Sequence, residues 1–230
     1  EIIVEDGNLG KIFSEATIGA VLTSGSIKSI STKAAHVEYI EAGTLGFVKM
    51  WSQSDSDTAG YATCSIATTK TGTLKIHLTG IVLENLITAQ DVKAIKADSK
   101  KAKKSKKKFL KPPDNAGAPK GVSLGGVGRV TPDALVDPES PYVVIAKSIK
   151  RIQTKGASVS PDLLQSEGDI DRIQAKPSKF SGATTGGFIG QSDEATTQTT
   201  VVAKNMKRLD GQVGVAGVFI AGTDANGDPD

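Results

Sequence analysis

The stretch TLKIHLT at positions 73–79 is the cleanest alternation in the chain. Leu74, Ile76 and Leu78 fall on one side, and Lys75, His77 and Thr79 on the other. That period of two belongs to a half-buried β-strand. Working outward, GTLGFVKMW (43–51) sets Phe47, Lys49 and Trp51 against Val48 and Met50. AHVEYIE (35–41) alternates too, and EIIV (1–4), ATIGAVL (16–22), GSIKSIS (25–31) and YATCSIATT (61–69) are strand-like. Further along, PYVVIAKSIKRI (141–152) is a strong apolar run, a strand or a short helix, and TTQTTVVAKNM (196–206) and GQVGVAGVFIAG (211–222) read as two strands. Strands spaced near ten residues apart with Gly punctuation predict a mainly β fold, a sandwich or barrel.

One or two short helices are expected beside these strands. In TAQDVKAIKADSKKAKK (88–104), Thr88 and Asp91 have the spacing of a helix start, and Val92 and Ile95 follow at i and i+3. The apolar stripe then fades, so only the first turns can dock. Ser160-Pro161 reads as an N-cap with Pro at the first helical position, opening DLLQSEGDIDRI (162–173). No tandem repeat stands out, although SIKSISTKAA (26–35) and SIKRIQTKGA (148–157) are alike.

Charge is unevenly spread. The net formal charge is only +3, yet Lys93 to Lys120 holds eleven Lys and two Asp. Residues 1–92 are net −4 and residues 121–230 net −2, so the flanking parts are expected to be mildly acidic. Three regions follow: a β-rich part (1–92), a lysine-rich arm with a Pro/Gly linker (93–120), and a second β-rich part with a polar acidic tail (121–230). The last packs with the first as one domain or stands apart. Such a concentrated basic segment suits a polyanion. The candidate contacts are Lys93, Lys96, Lys100, Lys101, Lys103, Lys104, Lys106, Lys107, Lys108 and Lys111. Lysine is a point charge without the planar fork that reads base edges, so these residues neutralise phosphates without reading sequence. With no aromatic before Phe109 the arm has no stacking platform of its own. A localisation signal, an anionic-membrane contact and a solvated linker are the competing readings.

Signals for catalysis are absent. His36 and His77 lack flanking nucleophile or zinc patterns. Cys64, the single cysteine, sits mid-strand as a buried structural thiol and excludes an intrachain disulfide. GVSLGGVGR (121–129) is rich in glycine but lacks the Gly-Lys-Ser/Thr of a phosphate loop. Glu167, Asp169 and Asp171 read as a solvated face. Asp224, Asn226 and Asp228 hold positions 1, 3 and 5 of a calcium-loop spacing, but Pro229 stands where glycine is wanted. No enzyme activity and no cofactor are expected. No run reaches the ~18 apolar residues of a membrane span. The chain opens at Glu1 without Met, which suggests a longer or processed product in which a signal peptide is not visible.

GTLGFVKMW, TLKIHLT and the following LENLITAQDVKAI (83–95), together with the lysine-rich segment, resemble the single jelly-roll proteins of small viruses, over about residues 1–110. These are the coat proteins and the related plant-virus movement proteins. The resemblance implies a non-enzymatic structural protein, a coat or capsid subunit, that self-associates as a homo-oligomer. It also implies contact with nucleic-acid phosphates in a virion or in host cytoplasm or nucleus. A movement-type nucleic-acid-binding protein is one alternative. Another is a cellular interaction or adhesion module whose lysine run is a linker or a localisation signal.

Overall fold

A computed structural model describes residues 1–52, 62–98, 143–156, 158–180, 183–185, 187–190 and 199–222. The chain builds β1 (Ile2–Val4), β2 (Leu9–Ser14), β3 (Ile18–Thr32), β4 (Val37–Trp51), β5 (Ala62–Thr68) and β6 (Thr73–Thr79). Then come β7 (Ile81–Asp98), β8 (Val143–Lys155), β9 (Leu163–Ser166), β10 (Ile170–Lys176), β11 (Ser178–Phe180) and β12 (Ala183–Thr185). The last are β13 (Phe188–Ile189), β14 (Thr200–Ala203), β15 (Leu209–Gly211), β16 (Gly214–Val215) and β17 (Val218–Ala221).

Thirteen of these strands form one sheet, and every pairing inside it is parallel. Each strand pairs with the strand one coil ahead. Ile12 lies beside Ile30, Ile2 beside Val21 and Ile152 beside Ile173, coils of 18, 19 and 21 residues, while Ile66 follows Ile40 by 26 and Val201 follows Leu164 by 37. This is a β-solenoid, in which the coil itself supplies the long crossover that parallel strands need.

Every coil has two strand segments joined at a short corner. The first segments stack into one face: β1, the starts of β3 and β4, β5, the start of β7, the start of β8, β9, β14 and β17. The second segments stack into the other: β2, the ends of β3 and β4, β6, the ends of β7 and β8, β10 and β15. The interior is filled by unbroken columns. On the first face Ile2, Val21, Ile40, Ile66, Leu86, Val144, Leu164, Val201 and Phe219 follow one another rung by rung. On the second, Ile12, Ile30, Val48, Ile76, Ile95, Ile152, Ile173 and Leu209 do the same. From Ile30 to Ile173 the second column is at most 1 % exposed. Each such side chain contributes about 1.5–3 kcal/mol on burial.

The corners need small residues because successive coils stack closely there. A Cβ on Gly25 would lie 2.0 Å from the Gly7 carbonyl oxygen, and one on Gly43 2.4 Å from that of Ser24. At the fifth coil Gln90 takes the corner. Its amide accepts from Leu45 N–H (3.0 Å) and donates to Leu45 C=O (3.3 Å), tying two coils that are not adjacent.

The mainly β expectation holds, but no helix occurs among the described residues. Residues 88–98 are the end of β7, and 163–166 and 170–176 are β9 and β10. The i, i+3 spacing of Val92 and Ile95 arises from a bend. Both point inward while the two residues between them point out, as also at Ile27/Ile30 and Ile149/Ile152. Thr88 caps no helix: its hydroxyl accepts Gln90 N–H at 3.0 Å in a local turn. The ladder is parallel, whereas a jelly roll or sandwich is built from antiparallel strands. Stacked coils of unequal length also make the chain a repeat. SIKSIS and SIKRIQ occupy equivalent sites, with Ile30 and Ile152 in one column.

Candidate polyanion-binding face

The two faces carry opposite charge. The strand segments of the first face contain Glu38, Glu41 and Glu84 and no Lys or Arg. Those of the second contain eleven: Lys11, Lys28, Lys49, Lys75, Lys93, Lys96, Lys150, Arg151, Lys155, Arg172 and Lys176. Only Asp91, Asp98, Asp171 and Asp210 oppose them. The strand period puts all of these side chains outward, exposed or half-buried. The expectation that basic character is confined to the lysine-rich segment is therefore corrected: stacking gathers lysines and arginines scattered through the sequence.

Register sets like charges side by side. Arg151 pairs with Arg172 and Lys155 with Lys176, rungs about 4.8 Å apart. Directly opposed like charges destabilise a ladder. Neutralisation is sparse. Arg172 reaches Asp210 at 3.4 Å, and the other ten cations of this face form no ion pair among the described residues. Gln174 donates to Asp210 at 2.6 Å. That bond, with Arg172 and Arg208 nearby, holds the Asp210 carboxyl below its usual range.

One column runs nearly the length of this face: Phe13, Ser31, Lys49, His77, Lys96, Gln153, Gln174 and Asp210. Beside it runs Trp51, Thr79, Asp98, Lys155 and Lys176. Between Lys96, Asp98, Gln153, Lys155, Gln174 and Lys176 lies a shallow hollow of about 190 Å³. Its rim holds the last described residue before the lysine run. Asp98 ends β7, and the next described residue is Val143. Ile95 nevertheless pairs with Ile152, 57 residues on, so residues 99–142 are inserted without breaking the ladder. In the preceding coil Gly80 alone bridges the same boundary, between Thr79 and Ile81.

Of the sequence-derived lysines, Lys93 and Lys96 lie on the second face in β7. Lys100, Lys101, Lys103, Lys104, Lys106, Lys107, Lys108 and Lys111 fall outside the described residues, as do Asp224, Asn226 and Asp228. The sequence reading did not single out Lys11, Lys28, Lys49, Lys75, Lys150, Arg151, Lys155, Arg172 and Lys176. The signal for them is the outward half of each coil's second strand, which becomes legible only with the coil length in hand.

The other candidates are occupied locally. His77 Nε2 lies 3.4 Å from Asp98 Oδ2. His36 sits in the turn before β4 beside Thr17, 3.5 Å away, and burial lowers its pKa. Cys64 is fully buried, and desolvation holds its thiol far above the usual range, in the protonated form. Asp169 accepts from Asn205 at 2.8 Å, and Lys207 bridges Asp171 at 2.7 Å and Asp169 at 3.3 Å. These hydrogen bonds hold the Asp169 carboxyl low. Among the described residues no group of His, Cys, Asp and Glu side chains converges as a metal site, and no helix is long and apolar enough to cross a membrane. No protein-family model, curated protein or solved structure matches the chain.

Proposed function

We propose that this is a non-enzymatic structural protein of viral type whose solenoid holds nucleic-acid phosphates on its second face, with the lysine-rich insertion as an extension of that face. The observation that carries it is the stacking of Arg151 on Arg172 and Lys155 on Lys176, answered by Asp210 beside Arg172 and Asp98 facing Lys155, next to the end of β7 that precedes the lysine run. A scaffold selected only for stability relieves such pairs, because facing like charges oppose folding. A phosphate backbone relieves them from outside and releases counterions as it does so. The face and Lys100 to Lys111 then act as one basic surface. The plant-virus movement-type alternative uses the same surface in the same way.

The test is a mobility shift with short nucleic acids over a salt series. Six to ten phosphate contacts predict a loss of about 10³–10⁵ in affinity between low and moderate salt. Replacing Lys96, Lys155 and Lys176 by Gln, or Lys100, Lys101, Lys103 and Lys104 by Gln, reduces the salt slope, by about one for each phosphate-bound lysine replaced. Binding that is unchanged by both sets of substitutions rejects the proposal.

A further inference from the structure

The second face carries aromatic rings as well as cations. Phe13 is 65 % exposed and Phe47 36 % exposed, and they are the only aromatics among the large exposed apolar residues described. Both point outward from the second face, as does the half-buried Trp51. By contrast, Tyr39 on the first face is tied to Glu41 at 2.9 Å.

The rings are interleaved with charge. Phe47 lies between Ser29 and Lys75 across the rungs, and Lys49 stands between Phe47 and Trp51 along β4. Phe13 begins the column that continues through Ser31 to Lys49, His77 and Lys96. At about 3.3 Å per residue, Phe47 and Trp51 are about 13 Å apart, with a lysine midway.

Lysines alone suffice for any polyanion. Rings facing water add little toward the anionic groups of a sulfated chain, or toward a duplex whose bases are stacked inside. They do add affinity for a strand whose base faces are free, because every base has a π-face to lay on an aromatic ring.

We infer that the ligand of the second face is a single-stranded nucleic acid, its bases stacked on Phe13, Phe47 and Trp51 and its phosphates over Lys49, Lys75 and Lys96. This rests on the phosphate-binding reading above and adds the strandedness of the ligand. The lysine run itself holds no aromatic before Phe109; the stacking rings lie outside it.

Trp51 is the single tryptophan of the chain, so its fluorescence reports on the site directly. The intact protein is titrated with oligo-deoxythymidylate, with a mixed-sequence duplex carrying the same number of phosphates, and with heparin. The single strand quenches Trp51 and binds more tightly than the duplex. Phe47→Leu and Phe13→Leu each weaken it about tenfold and leave heparin affinity and the melting temperature unchanged. Equal binding of all three probes, with no effect of Phe47→Leu, overturns the stacking inference while leaving the phosphate reading intact. If none of the three binds at low salt, the phosphate reading itself fails.

Discussion

The two faces of the solenoid share an interior and differ in everything turned outward. Inside, both are columns of Ile, Leu and Val, at most 1 % exposed from Ile40 to Val201 on one side and from Ile30 to Ile173 on the other. Outside, the first face bears three glutamates and no cation, and the second eleven cations and four aspartates. Folding requires only the inward half of each strand, so the outward half is free to specialise. The comparison separates what holds the molecule together from what it presents.

The largest expected effects test the shared half. Ile76→Ala on the second face and Leu86→Ala on the first each remove a fully buried side chain from a parallel column. Each should cost about 2–5 kcal/mol by chemical denaturation, and the two values should agree within about 1 kcal/mol. A large loss from one and almost none from the other breaks the picture of two equivalent columns.

Much of the fold was legible, and the limits have physical causes. Alternation in TLKIHLT and GTLGFVKMW correctly marked β6 and β4, while AHVEYIE is strand but turns Val37 and Ile40 inward together. The helix at 88–104 was misread because the second strand bends in most coils, and the one at 160–173 because Ser160-Pro161 has the composition of a helix start. The bend puts Val92 and Ile95, or Ile170 and Ile173, three apart on the inner side, and three apart is also a helical spacing. The repeat was present as Gly7, Gly25 and Gly43, and as Ile12, Ile30 and Val48, both at intervals of eighteen. It was hidden downstream by the insertion of residues 99–142 and by unequal coils. Lys93 and Lys96 were found because they abut the lysine run. Arg151, Lys155, Arg172 and Lys176 were not, since residues over twenty apart in sequence become neighbours only through the register of β8 and β10. Phe47 was read as an ordinary strand residue and Phe13 was not singled out, for the same reason.

A smaller effect tests the outward half. Lys176→Gln removes the like charge facing Lys155 and should raise stability by about 0.5 kcal/mol at low salt. The gain should vanish at high salt, where the repulsion is already screened. Glu41 faces Leu22 and Ala67 in neighbouring rungs, so Glu41→Gln should bring no salt-dependent gain. Thermal melts of both variants at two ionic strengths decide this. A salt-dependent gain from Glu41→Gln would mean that the first face is strained by charge as well.

The subtlest contrast is in the carboxyl groups. On the first face, burial raises the Glu84 pKa above its ordinary 4.5, partly offset by a hydrogen bond from Thr63. On the second, the Gln174 amide and the Arg172 guanidinium hold Asp210 below its ordinary 3.8. The signs are opposite. Glu84 binds its proton more tightly in the folded state, so its contribution is fully present below the unfolded pKa and is lost as pH rises through the folded one. Asp210 binds its proton more weakly when folded, so its contribution is present above the unfolded pKa and is lost as pH falls through the folded one. Glu84→Gln should therefore gain stability over the parent near pH 7 and lose that advantage toward acid. Asp210→Asn should lose stability near pH 7 and converge with the parent as Asp210 protonates. Melting curves across the acid range read both, and responses of the same sign would show that the two faces do not set their carboxyl groups in opposite directions.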